Sequence, residues 1–226
     1  CGASLAQRCP ACARDNDPGF RFCGGCGAPL VQTSAPALPV ETRRWVTVLF
    51  ADLSGFTSAS ETMDPEDVRT LVDGCMARLG EVVEHHGGYV EKIIGDQIMV
   101  LFGAPVAHED DAERAVRTGL AMQHCAADLG DVLAGLRLRV GINTGEVMFA
   151  PVGPEGARRF TVMGDAVNTA SRLETACPVG GVLVGAETVR ACRGTILFEE
   201  VAPVRAKNKS EPVAAWLAVE AFKDSV

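Results

Sequence analysis

The 226-residue sequence carries no surplus of positive charge: 21 Lys and Arg stand against 29 Asp and Glu, a formal net charge of −8. That balance argues against diffuse binding to nucleic acid or to an anionic membrane surface, both of which need a basic field. Long hydrophobic runs are also missing. No stretch approaches the roughly 20 apolar residues of a membrane-spanning helix, so no span is expected in this chain. No signal-peptide pattern stands at the start, and no Gly-x4-Gly-Lys-Ser/Thr phosphate loop occurs anywhere. The first residue is Cys1 rather than Met, so the chain reads as an excised fragment. Apolar residues are plentiful at 47%, with 22% charged, which suits one ordinary domain plus a small appendage rather than disorder.

The nine cysteines are unevenly spread. Cys1, Cys9, Cys12, Cys23 and Cys26 crowd the start, whereas Cys75, Cys125, Cys177 and Cys192 are scattered through apolar stretches. This split does not read as a disulfide framework. It reads as a metal knot followed by free thiols in a reducing compartment, so a cytoplasmic location is expected. The spacing Cys9-x2-Cys12-x10-Cys23-x2-Cys26 gives two CxxC turns, each presenting two thiolates to one side of an ion, as tetrahedral Zn²⁺ requires. Redox-active cysteines, or a chance spacing, are the alternatives. A knot this small cannot bury a core, so the metal would supply its folding energy. It holds few cations (Arg8, Arg14, Arg21) and few aromatics (Phe20, Phe22), which favours a structural or protein-contact role. Cys1-Gly-Ala-Ser-Leu5 echoes Cys26-Gly-Ala-Pro-Leu30, so residues 1–5 read as the tail of a preceding copy.

Three zones follow: a zinc ribbon over 1–30, a Pro/Ala/Ser/Thr-rich linker over 31–42, and a larger domain over 43–226. In the last, Trp45–Asp52 reads as a buried strand. Pro65–His86 reads as a helix with Asp64 as its N-cap, stopped at Gly87-Gly88. Tyr89–Ile94 and Gln97–Phe102 form a hairpin across Gly95-Asp96. Glu109–Leu129 and Asp165–Ala176 read as helices. Leu136–Met148, Phe160–Met163, Val182–Val184, Ile196–Val201 and Val213–Val219 read as strands. The expected architecture is an α+β, antiparallel-rich sheet with helices packed on one face.

Asp52 ends a buried strand and Asp96 sits at a hairpin tip; adjacent strands would bring the two carboxylates together. Two close acids repel and are tolerated where divalent metal lies between them. Each also has a plainer role open to it, as a helix cap and as a turn residue.

The motifs FADLSGFT, EKIIGDQIMVLFG, RVGINTGEV and FTVMGDAVNTASRLE, in this order and spacing, resemble those of class III adenylyl and guanylyl cyclases. VRAKNKSEPVAAW is similar to that family's closing hairpin, and the resemblance covers roughly residues 43–220. It implies a ferredoxin-like cyclase core. It also implies two Mg²⁺ or Mn²⁺ ions held by Asp52, Asp96 and the Leu53 backbone, with Gly55, Phe56 and Thr57 along the phosphates. Lys92 and Thr161 match the base-reading pair. Guanylyl cyclases typically have Glu and Cys there, so ATP is the implied substrate. Thr161 resembles the subgroup that includes bicarbonate-responsive adenylyl cyclases. Asn168 and Arg172 match the catalytic pair, and their i, i+4 spacing puts them on one helix face. Arg172 could instead pair with Glu174 or Asp165 on the surface. Lys209 matches a phosphate-binding lysine, or belongs to a solvated basic run with Arg205 and Lys207. One departure stands out: Gly181 occupies a position where some members carry a phosphate-contacting Arg.

The implied activity is conversion of ATP to cyclic AMP and pyrophosphate, for intracellular signalling, at sites shared between two domains packed head to tail. This chain holds both halves, so a homodimer would complete two sites. A guanylyl cyclase, and a catalytically silent domain that senses nucleotide or bicarbonate, are the alternatives. No GG[DE]EF-like signature supports a diguanylate cyclase.

Overall fold

The computed structural model describes residues 7–9, 12–17, 23–27, 41–54, 63–128, 137–152, 159–205 and 212–222. Two compact units divide between Val40 and Glu41. In the first, β1 (Gln7–Arg8) pairs antiparallel with β2 (Asp15–Asn16). The turn between them closes with Cys9 N–H donating to Arg14 C=O at 2.8 Å and Ala13 N–H to Cys9 C=O at 2.9 Å. The second CxxC turn is tied back by Gly24 N–H donating to Asn16 Oδ1 at 3.0 Å.

The second unit is built on an eight-stranded sheet. Its first part runs β3 (Thr42–Ser54), α1 (Pro65–His85), β4 (Tyr89–Ile94), β5 (Gln97–Phe102), α2 (Asp111–Asp128), β6 (Arg137–Val152). These four strands lie in the order β4-β5-β3-β6, all antiparallel. That β-α-β-β-α-β order is the ferredoxin-like arrangement. Beyond it come β7 (Arg159–Met163), α3 (Asp165–Ala176), β8 (Val182–Gly185), α4 (Ala186–Ala191), β9 (Ile196–Val204) and β10 (Val213–Ala221). β7 pairs with the end of β6, β8 pairs parallel to β6, and β10 and β9 extend the sheet. The expected α+β fold, a sheet flanked by helices, is the one found. No described helix is long and apolar enough to cross a membrane.

The expectation that helices cover one face is corrected. Leu49, Ala51, Leu53, Ile98, Val100 and Phe102 pack under α1 and α2 through Cys75, Leu79, Val83, Ala115, Val116 and Met122. The alternate residues Val48, Phe50, Met99 and Leu101 pack with Ala166 and Ala170 of α3 on the opposite face. Val48–Ala51 of β3 and Ile98–Phe102 of β5 are apolar at every position because both faces are covered there, the pattern of a doubly buried strand. α3 lies close on β6: a Cβ at Gly141 would collide with the backbone of Glu174 and Ala170. The glycine of RVGINTG therefore sets the height of α3 above the sheet.

Strand ends run longer than the sequence pattern implied, since β3 starts at Thr42 and β6 reaches Val152. The short helix α4 had no separate sequence signal.

Candidate active site

Asp52 follows Val48 and Phe50 on the face that α3 covers. Across the ladders it pairs with Gln97 of β5 and Arg139 of β6. The β4–β5 loop is two residues long, with positive φ only at Gly95 (62°), the pattern of a type II′ turn. Its tip folds against the end of β3, where Leu53 N–H donates to Asp96 C=O at 3.2 Å. The structure thus brings together the two acids that are far apart in sequence. Burial pushes the Asp52 carboxyl above its usual range; the neighbouring Asp96 adds to this and Arg139 opposes it.

A third acid, which the motif reading passed over, completes the cluster. Glu174 is buried at 4% exposure and accepts from Gln97 Nε2 at 3.3 Å. Its carboxyl is pushed up to about 7, first by burial and then by Asp52, against the pull of Thr175, Arg139 and Gln97. The signal was present: Glu174 falls at i+4 and i+8 from Ala170 and Ala166, on the apolar stripe of α3. Repelling acids at a strand end, held partly out of water, are a donor set suited to hard divalent cations.

α3 also carries Asn168, which is exposed, and Arg172, which is half-buried. Arg172 Nη1 is buried and donates to no partner among the described residues, and no ion pair to Glu174 is found there. The surface-pairing alternative for Arg172 with Glu174 is therefore not what this structure displays. A second polar cluster joins β4 to β7. Thr161 Oγ1 donates to Glu91 Oε1 at 2.6 Å, and Lys92 Nζ lies 3.3 Å from Glu91 Oε2. Lys92 and Thr161 are brought together through Glu91, another residue that the motif reading did not single out. The predicted contacts of Gly55, Phe56, Thr57 and Lys209 fall outside the described residues. At Gly181 an added Cβ would stand 3.0 Å from Pro178 O, so the backbone leaves little room for a side chain there.

The four cysteines of the first unit converge. Their Sγ atoms all lie within 4.8 Å of one another, with Cys9–Cys26 and Cys12–Cys23 both at 3.6 Å. A disulfide needs about 2.05 Å; tetrahedral Zn²⁺ with Zn–S near 2.3 Å needs S···S edges of about 3.8 Å. The set fits zinc. Backbone N–H groups of Gly25 and Cys26 lower the Cys23 thiol to about 6, whereas Cys12, against the pull of the Arg14 backbone, is pushed up to about 12 by Cys26 and Cys23, so without a metal the protons are unevenly shared in the cluster.

The family model described as the adenylate and guanylate cyclase catalytic domain matches residues 38–218. Adenylate cyclase 1 of Rhizobium meliloti is 34% identical over 175 residues, covering 74% of this chain and 26% of its own length. The chain thus spans about a quarter of that curated relative, and 37% of the adenylate cyclase of Mycobacterium tuberculosis. Among solved structures, the adenylyl cyclase CyaB from P. aeruginosa superposes with a TM-score of 0.78 at 30% identity, covering 82% of this chain and 98% of that one. The guanylyl cyclase Cya2 does so with a TM-score of 0.78 at 33% identity, covering 82% and 96%.

Proposed function

Because the chain belongs to the adenylate and guanylate cyclase catalytic domain family, we propose that it is an adenylyl cyclase, converting ATP to 3′,5′-cyclic AMP and pyrophosphate. The observation that carries this reading is the meeting of Asp52 and Asp96, with Asp52 raised by burial and by its neighbour. Asp52, Asp96 and the Leu53 backbone would hold two Mg²⁺ or Mn²⁺ ions. When bound, such ions supply acidification of the ribose 3′-hydroxyl and neutralisation of phosphate charge. The 3′-oxygen attacks the α-phosphorus and pyrophosphate leaves. Asn168 orients the ribose. Arg172, with a buried donor that has no partner among the described residues, stabilises charge developing on the α-phosphate. Gly55, Phe56, Thr57 and Lys209 are assigned to the phosphates on motif resemblance alone.

Similarity does not separate the two purines, since adenylyl and guanylyl cyclase structures superpose equally well. The choice of ATP rests on Lys92 and Thr161. Lys92 only donates, which suits the ring N1 of adenine, and Thr161 can accept from the exocyclic amine. Bicarbonate stimulation rests on Thr161 alone; a rate unchanged across bicarbonate concentrations at fixed pH would remove it.

The site is completed in a head-to-tail homodimer. Large apolar side chains stand exposed on the strands that carry the site residues: Trp45 on β3, Ile93 and Ile94 on β4, Met163 on β7. Neither of two cavities among the described residues, about 490 and 320 Å³, is lined by a predicted site residue. Zinc is assigned to Cys9, Cys12, Cys23 and Cys26, and the reducing cytoplasm to a chain with this many free thiols. Purified protein incubated with ATP or GTP and each metal should form cyclic AMP from ATP preferentially. Preferential cyclic GMP would turn the reading to guanylyl cyclase, and no cyclic product from either would overturn it.

A further inference from the structure

Glu91 sits at an irregularity in the β4–β5 ladder. Val90 pairs with Val100 and Lys92 with Met99, so Glu91 is the extra residue of a bulge. In a regular strand neighbouring side chains leave on opposite faces; a bulge re-aims one of them. Here Glu91 and Lys92 meet, Nζ to Oε2 at 3.3 Å. The Glu91 side chain is only 7% exposed. One of its oxygens takes the Thr161 hydroxyl proton at 2.6 Å. The other is buried and accepts no hydrogen bond among the described residues, because Lys92 lies near it but off the bonding direction. A carboxylate is an unusual group to bury beside a base-reading threonine with one oxygen left over.

A threonine hydroxyl has one proton and two lone pairs. With the proton committed to Glu91, Thr161 has only acceptor capacity for anything else. Adenine presents an amine donor at C6 and an acceptor at N1; guanine presents a carbonyl acceptor at C6 and a donor at N1. An acceptor-only Thr161 beside a donor-only Lys92 complements the first edge and opposes the second.

We propose that Glu91 is a specificity-determining positioning residue: by holding the hydroxyl proton of Thr161 it makes that oxygen an obligate acceptor and so selects adenine over guanine. The inference rests on the adenylyl cyclase reading and adds to it a cause for the purine choice that the Lys92–Thr161 pair alone lacks, since a free hydroxyl would rotate to donate to guanine.

The test is a double-mutant cycle, read by the ratio of ATP to GTP affinity and, separately, by cyclic product. In Glu91→Gln the amide turns its carbonyl toward the Lys92 ammonium and its NH₂ toward Thr161. The hydroxyl proton is then released outward, and the ATP:GTP preference should fall by about tenfold, the worth of one hydrogen bond exchanged. In a Thr161→Val background the same substitution should leave the ratio where Thr161→Val puts it. Thr161→Ser, which keeps the hydroxyl, should move the ratio less than Thr161→Val does, and far-UV circular dichroism of Glu91→Gln establishes that this variant is folded. An unchanged ratio in folded Glu91→Gln, or an equal change with and without the Thr161 hydroxyl, overturns the proposal. Absence of cyclic AMP formation by the wild type would instead overturn the adenylyl cyclase reading, and the binding ratio would still judge Glu91.

Discussion

The thiol cluster and the acid cluster present metal-suited donors in opposite ways. Cys9, Cys12, Cys23 and Cys26 come from two tight turns, and the converged sulfurs sit beside two strands of two residues each. Asp52, Asp96 and Glu174 come from β3, the β4–β5 tip and α3, and their meeting depends on a sheet buried on both faces. In the first, a bound metal would hold the fold; in the second, the fold holds the donors. Loss of metal should accordingly dismantle one and leave the other standing.

The largest effect expected is on activity. Asp52→Ala should lower cyclic AMP formation by about 10³-fold or more, since it removes a proposed ligand of both ions. The folded state should survive, because the backbone pairing of residue 52 with Gln97 and Arg139 does not need the carboxylate. Arg172→Ala should be similarly inactive. Mixed in equal amounts, the two should recover about a quarter of wild-type activity, because half of randomly formed dimers carry one intact site of two. A mixture that stays inactive although both proteins dimerise breaks the shared-site half of the proposal and leaves the acid pair untouched.

A second effect sharpens the contrast from the other side. Stripping the proposed zinc with a strong chelator, or the change Cys23→Ser, should unfold the first unit, where such a metal would contribute on the order of 10 kcal/mol. Protease cleavage within residues 1–40 should then become rapid. The thermal transition of residues 41–226 should stay within a few degrees in the same sample. A chelator that melts both units together would mean that the larger one also relies on bound metal to fold.

Local signals carried much of this. The CxxC spacing named the four cysteines that converge, and the GD hairpin gave β4 and β5 to the residue. The apolar runs gave β3 and β5 as buried strands but not which helices covered them: a strand with Val48 and Phe50 alternating with Leu49 and Ala51 has no polar face, and period alone does not say that α3 takes the second side. Glu91 and Glu174 were hidden for a related reason. Their importance comes from contacts across the chain, Glu91 to Thr161 and Glu174 to Gln97, and sequence order places neither pair together. An acid on the Ala166–Ala170 stripe was nevertheless an open local contradiction, and such contradictions mark functional or strained positions.

Glu174 offers the smallest and most specific test. Its carboxyl is raised from 4.5 to about 7 in the folded state, so between those values the folded protein binds more protons than the unfolded chain. Stability therefore falls as pH rises through that window and levels off above about 7, with the loss amounting to roughly 3 kcal/mol in divalent-free protein. Glu174→Gln stays neutral and can still bond to Gln97. It should be nearly neutral for stability at pH 4.5 and stabilising at pH 8, where the wild type has a carboxylate facing Asp52. Denaturant unfolding of both proteins at the two pH values measures it. A Glu174→Gln difference independent of pH would mean that the acid is compensated when charged, by Thr175, Arg139 and Gln97, and that the acid cluster is less strained without metal than its three carboxylates imply. The opposite slope, with the variant losing ground as pH rises, would place the carboxylate in a favourable ion pair and remove the reason for expecting a cation beside it.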